Sequence, residues 1–245
     1  MAKISWAGQS CFQISVFPTK SRILGGIGTN SRDNSADIVI DPFDDSLGLK
    51  VPNFSADIAL VTHDHHDHNN VKALKGDPFV ISGPGEYEVK GVFVQGIHSY
   101  HDEEEGKKRG QNTIYVFEAE DMRFCHLGDL GQKQLTDEQL EKIDSVDILM
   151  IPVGGEYTID SSEASKIIAQ IEPLIVIPMH YSVSRLQSNR GSSAESGPKL
   201  KLKLDGVDKF LKTMGKNSIT PVDKFTIKAS VLPKDGAMEI VVLQP

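Results

Sequence analysis

Six consecutive residues, His63 to His68, are all histidine or aspartate, in the segment Val61-Thr62-His63-Asp64-His65-His66-Asp67-His68-Asn69. They follow an apolar run, Ile58 to Val61, that reads as a strand. In an extended backbone alternate residues share a side, so His63 and His65 can grip one cation together. Asp67 and His68 fall where the chain must turn and can serve a second cation. Imidazole and carboxylate are costly to bury unpaired, so core packing does not account for such a run. The other histidines, His98, His101, His126 and His180, also lie in short polar segments at the ends of apolar runs. Nitrogen and carboxylate ligands without cysteine suit Zn²⁺ first and admit Mn²⁺ or Fe²⁺. Two such cations about 3.5–4 Å apart, spanned by an aspartate, bring the pKa of a water toward ~7 and prepare it to attack a carbonyl or phosphoryl centre.

The segment Thr62-His63-x-His65-x-Asp67-His68 resembles the signature loop of the metallo-β-lactamase superfamily, and later motifs follow in the family's order. Asp41, in Val39-Ile40-Asp41-Pro42, resembles the aspartate that supports the metal loop. His126-Leu127-Gly128-Asp129 resembles the motif whose aspartate bridges two metals. Pro178-Met179-His180-Tyr181 resembles the last motif, whose histidine completes the second metal. Ser99-Tyr100-His101-Asp102, Arg109-Gly110-Gln111-Asn112 and Pro152-Val153-Gly154-Gly155 resemble a compact branch that includes ascorbate-6-phosphate lactonase, and Gly83-Pro84-Gly85-Glu86-Tyr87 a subgroup of it. The resemblance covers roughly residues 1 to 182.

The resemblance implies an α+β fold, a four-layer αββα sandwich with its metal site at one edge of two packed sheets, in a single domain over residues 1–245. It implies two divalent ions, one held by His63, His65 and His101, the other by Asp67, His68 and His180, with Asp129 between them. Asp67 and Asp129 are the carboxylates expected to act in catalysis. His98 and His101 are three residues apart and would point to opposite sides of a strand. His101 is preferred because it stands where the strand gives way to an acidic loop. Asp41 and Asp64 are expected to satisfy the second nitrogen of ligating imidazoles. Gln9, His126, Asn112 and Tyr181 are candidates to support the ligands or touch substrate. At Gly8-Gln9-Ser10 relatives often carry Gly-His-Ser, a departure at one edge of the expected site.

The rest of the chain must position these groups. Strands are expected at Ile4 to Trp6, Cys11 to Val16, Asp37 to Ile40, Ile58 to Val61, Ile148 to Val153 and Leu174 to Pro178. A hairpin is expected at Thr113 to Ala119 and Met122 to His126, turning at Glu120-Asp121. Thr136 with Gln139 and Asp160 with Glu163 are capping boxes, and Pro173 ends the second helix. A third helix is expected near Val207 to Met214, and last strands near Phe225 to Leu232 and Glu239 to Leu243. Residues 182–198 read as an exposed loop and the Lys-Leu alternation over 199–203 as a half-buried edge strand. The charge run Asp102 to Arg109 reads as a solvated loop tip, or as a loop whose Lys107, Lys108 or Arg109 clamps an anion.

Composition sets the function classes. With 39% hydrophobic and 24% charged residues the 245-residue chain is an ordinary globular protein. A net charge of −8 argues against unaided binding to nucleic acid or anionic membrane. No stretch approaches the ~18 apolar residues of a membrane span. The first fifteen residues lack the continuous apolar core of a signal peptide, so a cytoplasmic location is expected. Cys11 and Cys125 are the only cysteines and read as buried thiols. The expected function is a dinuclear metallo-hydrolase acting on a small anionic ester, lactone or phosphoester. The alternatives are a nuclease of the same superfamily and a metal-dependent binding module without turnover.

Overall fold

The computed structural model describes residues 1–17, 35–183, 203–234 and 236–245, and within them the apolar runs pair as strands. In chain order these are β1 (Ala2–Gly8), β2 (Cys11–Val16), β3 (Ala36–Ile40), β4 (Ile58–Leu60), β5 (Phe79–Ile81), β6 (Gly85–Val89) and β7 (Val92–Tyr100). They continue with β8 (Gln111–Ala119), β9 (Met122–His126), β10 (Ile148–Pro152), β11 (Ile175–Met179), β12 (Phe225–Ile227) and β13 (Glu239–Ile240). The helices are α1 (Asp137–Ile143), α2 (Ser161–Ile171) and α3 (Val207–Thr213). One sheet has the order β12-β1-β2-β3-β4-β5, the other β13-β11-β10-β9-β8-β7-β6.

One apolar cluster joins Ile4, Phe12 and Ile38 of the first sheet, Val94, Tyr115 and Phe117 of the second, and Ile143, Ile168 and Phe210 of the helices. Each such fully buried side chain contributes about 1.5–3 kcal/mol. β10 and β11 are buried at every position, as a sheet covered on both faces requires. The first sheet buries a smaller cluster, Cys11, Val39, Phe43 and Ala56, under Leu47, Leu49, Phe54 and Leu74 of short turns and loops. The whole is the α+β, four-layer αββα sandwich expected from the sequence. Both thiols are free and buried, and burial pushes each above its ordinary pKa.

Strand direction matters most for function. β1 and β3 are both antiparallel to β2, and β4 runs parallel to β3, so these three share one sense. In the second sheet β7 and β9 are both antiparallel to β8, and β10 and β11 run parallel to β9. Six candidate site residues come just past the ends of these strands: Gln9 after β1, Asp41 after β3, His63 after β4, His101 after β7, Asp129 after β9 and His180 after β11. Loops at the carboxyl ends of parallel strands are where sheet proteins of this kind bind ligands.

Local chemistry accounts for the elements read correctly. Thr136 Oγ1 accepts from the amide of Gln139, whose Oε1 accepts in return from the amide of Thr136. Asp160 and Glu163 do the same for α2, which ends at Glu172 in the left-handed region, just before Pro173. Three expectations change. The segment from Phe225 is a strand only to Ile227 and then a 3₁₀ turn at Ala229–Val231, and the last strand stops at Ile240. Weak alternation had hidden β5 and β6, whose residues are mostly exposed on the sheet edges. The expected loop and edge strand at 184–202 lie outside the described residues. Among the described residues, no helix is long and apolar enough to cross a membrane.

The β8–β9 turn has two residues, because Ala119 pairs with Met122, and both Glu120 and Asp121 are left-handed, with φ of 55° and 60°. Such a turn favours glycine at its second position. Asp121→Gly is therefore expected to raise stability by about 0.5–1 kcal/mol. A urea unfolding midpoint that stays put or falls would contradict the assignment.

Candidate metal centre

Asp41 leaves β3 in the left-handed region, with φ of 48°, and this turns a fully buried carboxylate under the metal loop. Its Oδ1 accepts from the amide of Thr62 at 2.8 Å, and its Oδ2 from the Thr62 hydroxyl at 2.8 Å. The same Oδ2 lies 3.0 Å from Nδ1 of His68. Because the Thr62 hydrogen is committed to Asp41, its oxygen can only accept from Nδ1 of His63, 3.0 Å away. That assignment of hydrogens puts the proton of neutral His63 on Nδ1. The buried Nε2, which has no hydrogen-bond partner, then offers a lone pair. Burial, with His68 beside it, drives the pKa of His63 far down, so the ring stays neutral.

Asp129 occupies the middle of the cluster. Its Oδ1 accepts from the Ser10 hydroxyl at 2.8 Å, and its amide donates to Oδ1 of Asn112 at 3.0 Å. Asn112 is itself fixed, donating to Ser99 Oγ and to the Leu127 carbonyl. The free oxygen, Oδ2, lies 3.2 Å from Nε2 of His68, 3.2 Å from Nε2 of His180 and 3.6 Å from Nε2 of His101. Burial alone would raise the pKa of Asp129, but His180 and His68 hold it well below the carboxylate range. Burial would likewise lower His68, and Asp129 and Asp41 on either side raise it well above the usual value. His101 is lowered, chiefly by burial.

Ligand-capable atoms of His63, His65 and His101 all lie within 4.8 Å of one another, and so do those of His63, His68 and Asp129. Asp67 Oδ2 is 3.7 Å from Nε2 of His68. The structure thus brings together His63, His65, Asp67, His68, His101, Asp129 and His180, with His63 close to both groups. His98 turns elsewhere: its ring meets Tyr100 edge-on and its carbonyl accepts from Gln139. His66 is exposed, on the far side of Asp67.

The supporting residues sort differently from the sequence reading. Tyr181 does not face substrate: it packs on Trp6 and its hydroxyl donates to the Leu243 carbonyl at 2.9 Å. Asp64 does not serve an imidazole, since it is exposed and accepts from Asn69. His126 is buried between backbone groups, accepting from Gly128 N at Nδ1 and donating from Nε2 to the Ser10 carbonyl. Gly154 brings the chain against the backbone of His180, where an added Cβ would sit 2.0 Å from its carbonyl oxygen. The acidic run after His101 is organised by Asp102, whose carboxylate accepts from the amides of Glu104, Gly106, Lys108 and Arg109. Arg109 then lies over the Tyr157 ring, 4.4 Å from its centre.

Gln9 and His180 are also left-handed, with φ of 49° and 52°, and the Gln9 carbonyl accepts from the amide of His180 at 3.0 Å. Gln9 Nε2 is buried without a partner. Sequence reasoning missed Ser10 as the anchor of Asp129. Its only signal was its place in Gly8-Gln9-Ser10, and serine alone does not say which carboxylate it will meet.

The donor set passes a chemical test for metal. Nε2 of His63 and both ring nitrogens of His68 are buried with no hydrogen-bond partner, and Nε2 of His101 and of His180 face Asp129 Oδ2. Leaving so many imidazole nitrogens unpaired costs about 1–3 kcal/mol each unless a cation takes their lone pairs. Nitrogen and carboxylate donors fit Zn²⁺, Mn²⁺ or Fe²⁺.

The family model of the β-lactamase superfamily domain matches residues 29–180. The chain is 26% identical over 207 residues to a Thermoplasma volcanium protein named UPF0173 metal-dependent hydrolase, covering 74% of this chain and 83% of that one. A namesake from Thermococcus onnurineus is 28% identical over 172 residues, covering 59% and 77%. Among solved structures, a candidate Zn-dependent hydrolase of the metallo-β-lactamase superfamily from Thermotoga maritima is 32% identical, with a TM-score of 0.70 and both chains covered in full. With the family model spanning more than half of it and its motifs gathered at one edge of an αββα sandwich, the chain belongs to the metallo-β-lactamase superfamily.

Proposed function

We propose that the chain is a metal-dependent hydrolase that binds two divalent ions, Zn²⁺ first, and opens a small ester, lactone or phosphoester. One observation carries the reading. Asp129 Oδ2 faces His101 of one proposed ligand set and His68 and His180 of the other, while Ser10 holds Oδ1. The names of the relatives support the reaction class. Divalent ions so held supply Lewis acidity and lower the pKa of water, as hydrolysis at a carbonyl or phosphoryl centre needs.

The chain's own residues do the positioning. Asp41, through Thr62 and directly, fixes which nitrogen of His63 and of His68 carries the proton, leaving Nε2 of each to coordinate. Asn112 holds the backbone of Asp129. The buried Gln9 amide nitrogen, left without a partner, would donate to a substrate oxygen developing charge. The substrate partner is a small molecule, and the chain's charge of −8 gives a nucleic acid no electrostatic purchase.

Elemental analysis after loading at neutral pH should find about two ions per chain. Asp129→Ala should lose at least one, and His101→Ala should lose one while His98→Ala keeps both. The reverse pattern would give the third motif to His98. Asp41→Asn should weaken metal affinity about 10–100-fold through the loss of tautomer control. An unchanged affinity would reduce Asp41 to a packing residue. A panel of esters, lactones, phosphodiesters and single-stranded RNA should show metal-dependent turnover of small substrates only. Turnover of RNA alone would favour a nuclease, and none at all a binding module.

A further inference from the structure

A cleft of about 450 Å³ opens beside His63. Its apolar walls are Val61, Val71 and Val80, its polar lining includes Asn69 and Ser82, and the carboxylate in it is Asp64. Among the described residues, no lysine or arginine lines it. Val80 is 45% exposed on the edge strand β5. An apolar side chain on an open sheet edge is a liability unless something covers it. The walls are fixed before anything binds: the Tyr115 hydroxyl accepts from the amide of Gly83 and lies 2.9 Å from the Val61 carbonyl and 3.1 Å from that of Ile81. That hydroxyl ties together the ends of the paired strands β4 and β5, which bring Val61 and Val80 to the cleft. Asn69 Nδ2 donates to Asp64 and so holds the carboxylate in place.

We propose that this cleft is the subsite for an uncharged, apolar-edged substituent of the substrate, and that Asp64 rejects a substituent carrying negative charge. The assignment rests on the hydrolase reading above, with the reacting group among the imidazoles and its substituent lying along Val71 and Val80. Asp64, in the spacer of the metal loop, is then a specificity residue. Any anionic character of the substrate belongs to its reacting group and not to this arm.

Calorimetric titration of the metal-loaded protein with three phosphonates tests it, the phosphonate standing for the reacting group. Phenylphosphonate should bind about tenfold tighter than methylphosphonate, the gain expected from burying most of a ring face. 4-Carboxyphenylphosphonate should lose most of that gain. Val71→Ala combined with Val80→Ser should abolish the phenyl advantage and leave methylphosphonate binding unchanged. Asp64→Asn should recover 4-carboxyphenylphosphonate several-fold and leave phenylphosphonate unchanged, with both ions retained by elemental analysis. Equal binding of phenyl and methyl forms, or an advantage that survives the double valine change, would overturn the cleft assignment alone. Indifference of the carboxylated probe to Asp64→Asn would overturn the role of Asp64. If none of the three binds a chain carrying two ions, the hydrolase reading falls as well.

Discussion

A carboxylate shut away from water must be met by donors on every side, and Asp41 is such a group. Its side chain takes both donors of Thr62 and faces Nδ1 of His68. Remove that arrangement and the loop from His63 to His68 loses its backbone anchor, the proton position of one imidazole and the partner of another. The fully buried carboxylate is tolerated because each oxygen is used. Asp129 repeats the principle with a difference: one oxygen is satisfied by Ser10, and the other is left among imidazoles. The first aspartate shapes the site and the second occupies it.

The fold supplies the place for both. Strands of one sense in each sheet end along one edge, so six segments far apart in sequence deliver side chains to one point. Three of the residues at these ends, Gln9, Asp41 and His180, adopt left-handed backbone. That conformation costs a residue with a Cβ about 1–2 kcal/mol. The cost is met locally, by the hydrogen bonds of Asp41 to Thr62 and by the bond from the His180 amide to the Gln9 carbonyl. Strain concentrated at strand ends and secured in this way is a mark of a preorganised site. Small residues do the rest, since Gly131 and Gly154 let neighbouring loops close onto the backbones of His101 and His180.

Around this rigid centre the variable parts are loops. Asp102 gathers four amides and makes a fixed turn from what reads as a mere charge run. The cleft beside His63 is walled by the strand end at Val61 and the edge strand at Val80, tied together through Tyr115. The buried cluster of imidazoles and carboxylates and this cleft are thus adjacent but separate surfaces. One is built of buried polar groups, and the other mixes valine side chains with polar ones.

The segments that meet in the candidate site were legible in the sequence because their signals are local. Six consecutive histidines and aspartates after an apolar run are no pattern of apolar packing, and two capping boxes announce their helices within four residues each. The hairpin at Glu120-Asp121 needed only the alternation of its strands and an acidic turn between them. Tertiary structure decided what depends on partners distant in the chain. Ser10 finds Asp129 across 119 residues, Tyr181 spends its hydroxyl on Leu243 across 62, and Tyr115 closes on Val61 across 54. Such pairings follow from which strand ends share an edge, and a hydroxyl carries no record of that in its neighbours along the chain. The exposed strands β5 and β6 escaped notice for the same reason: at a sheet edge, pairing with one neighbour makes the strand, and the buried alternation that would reveal it never forms.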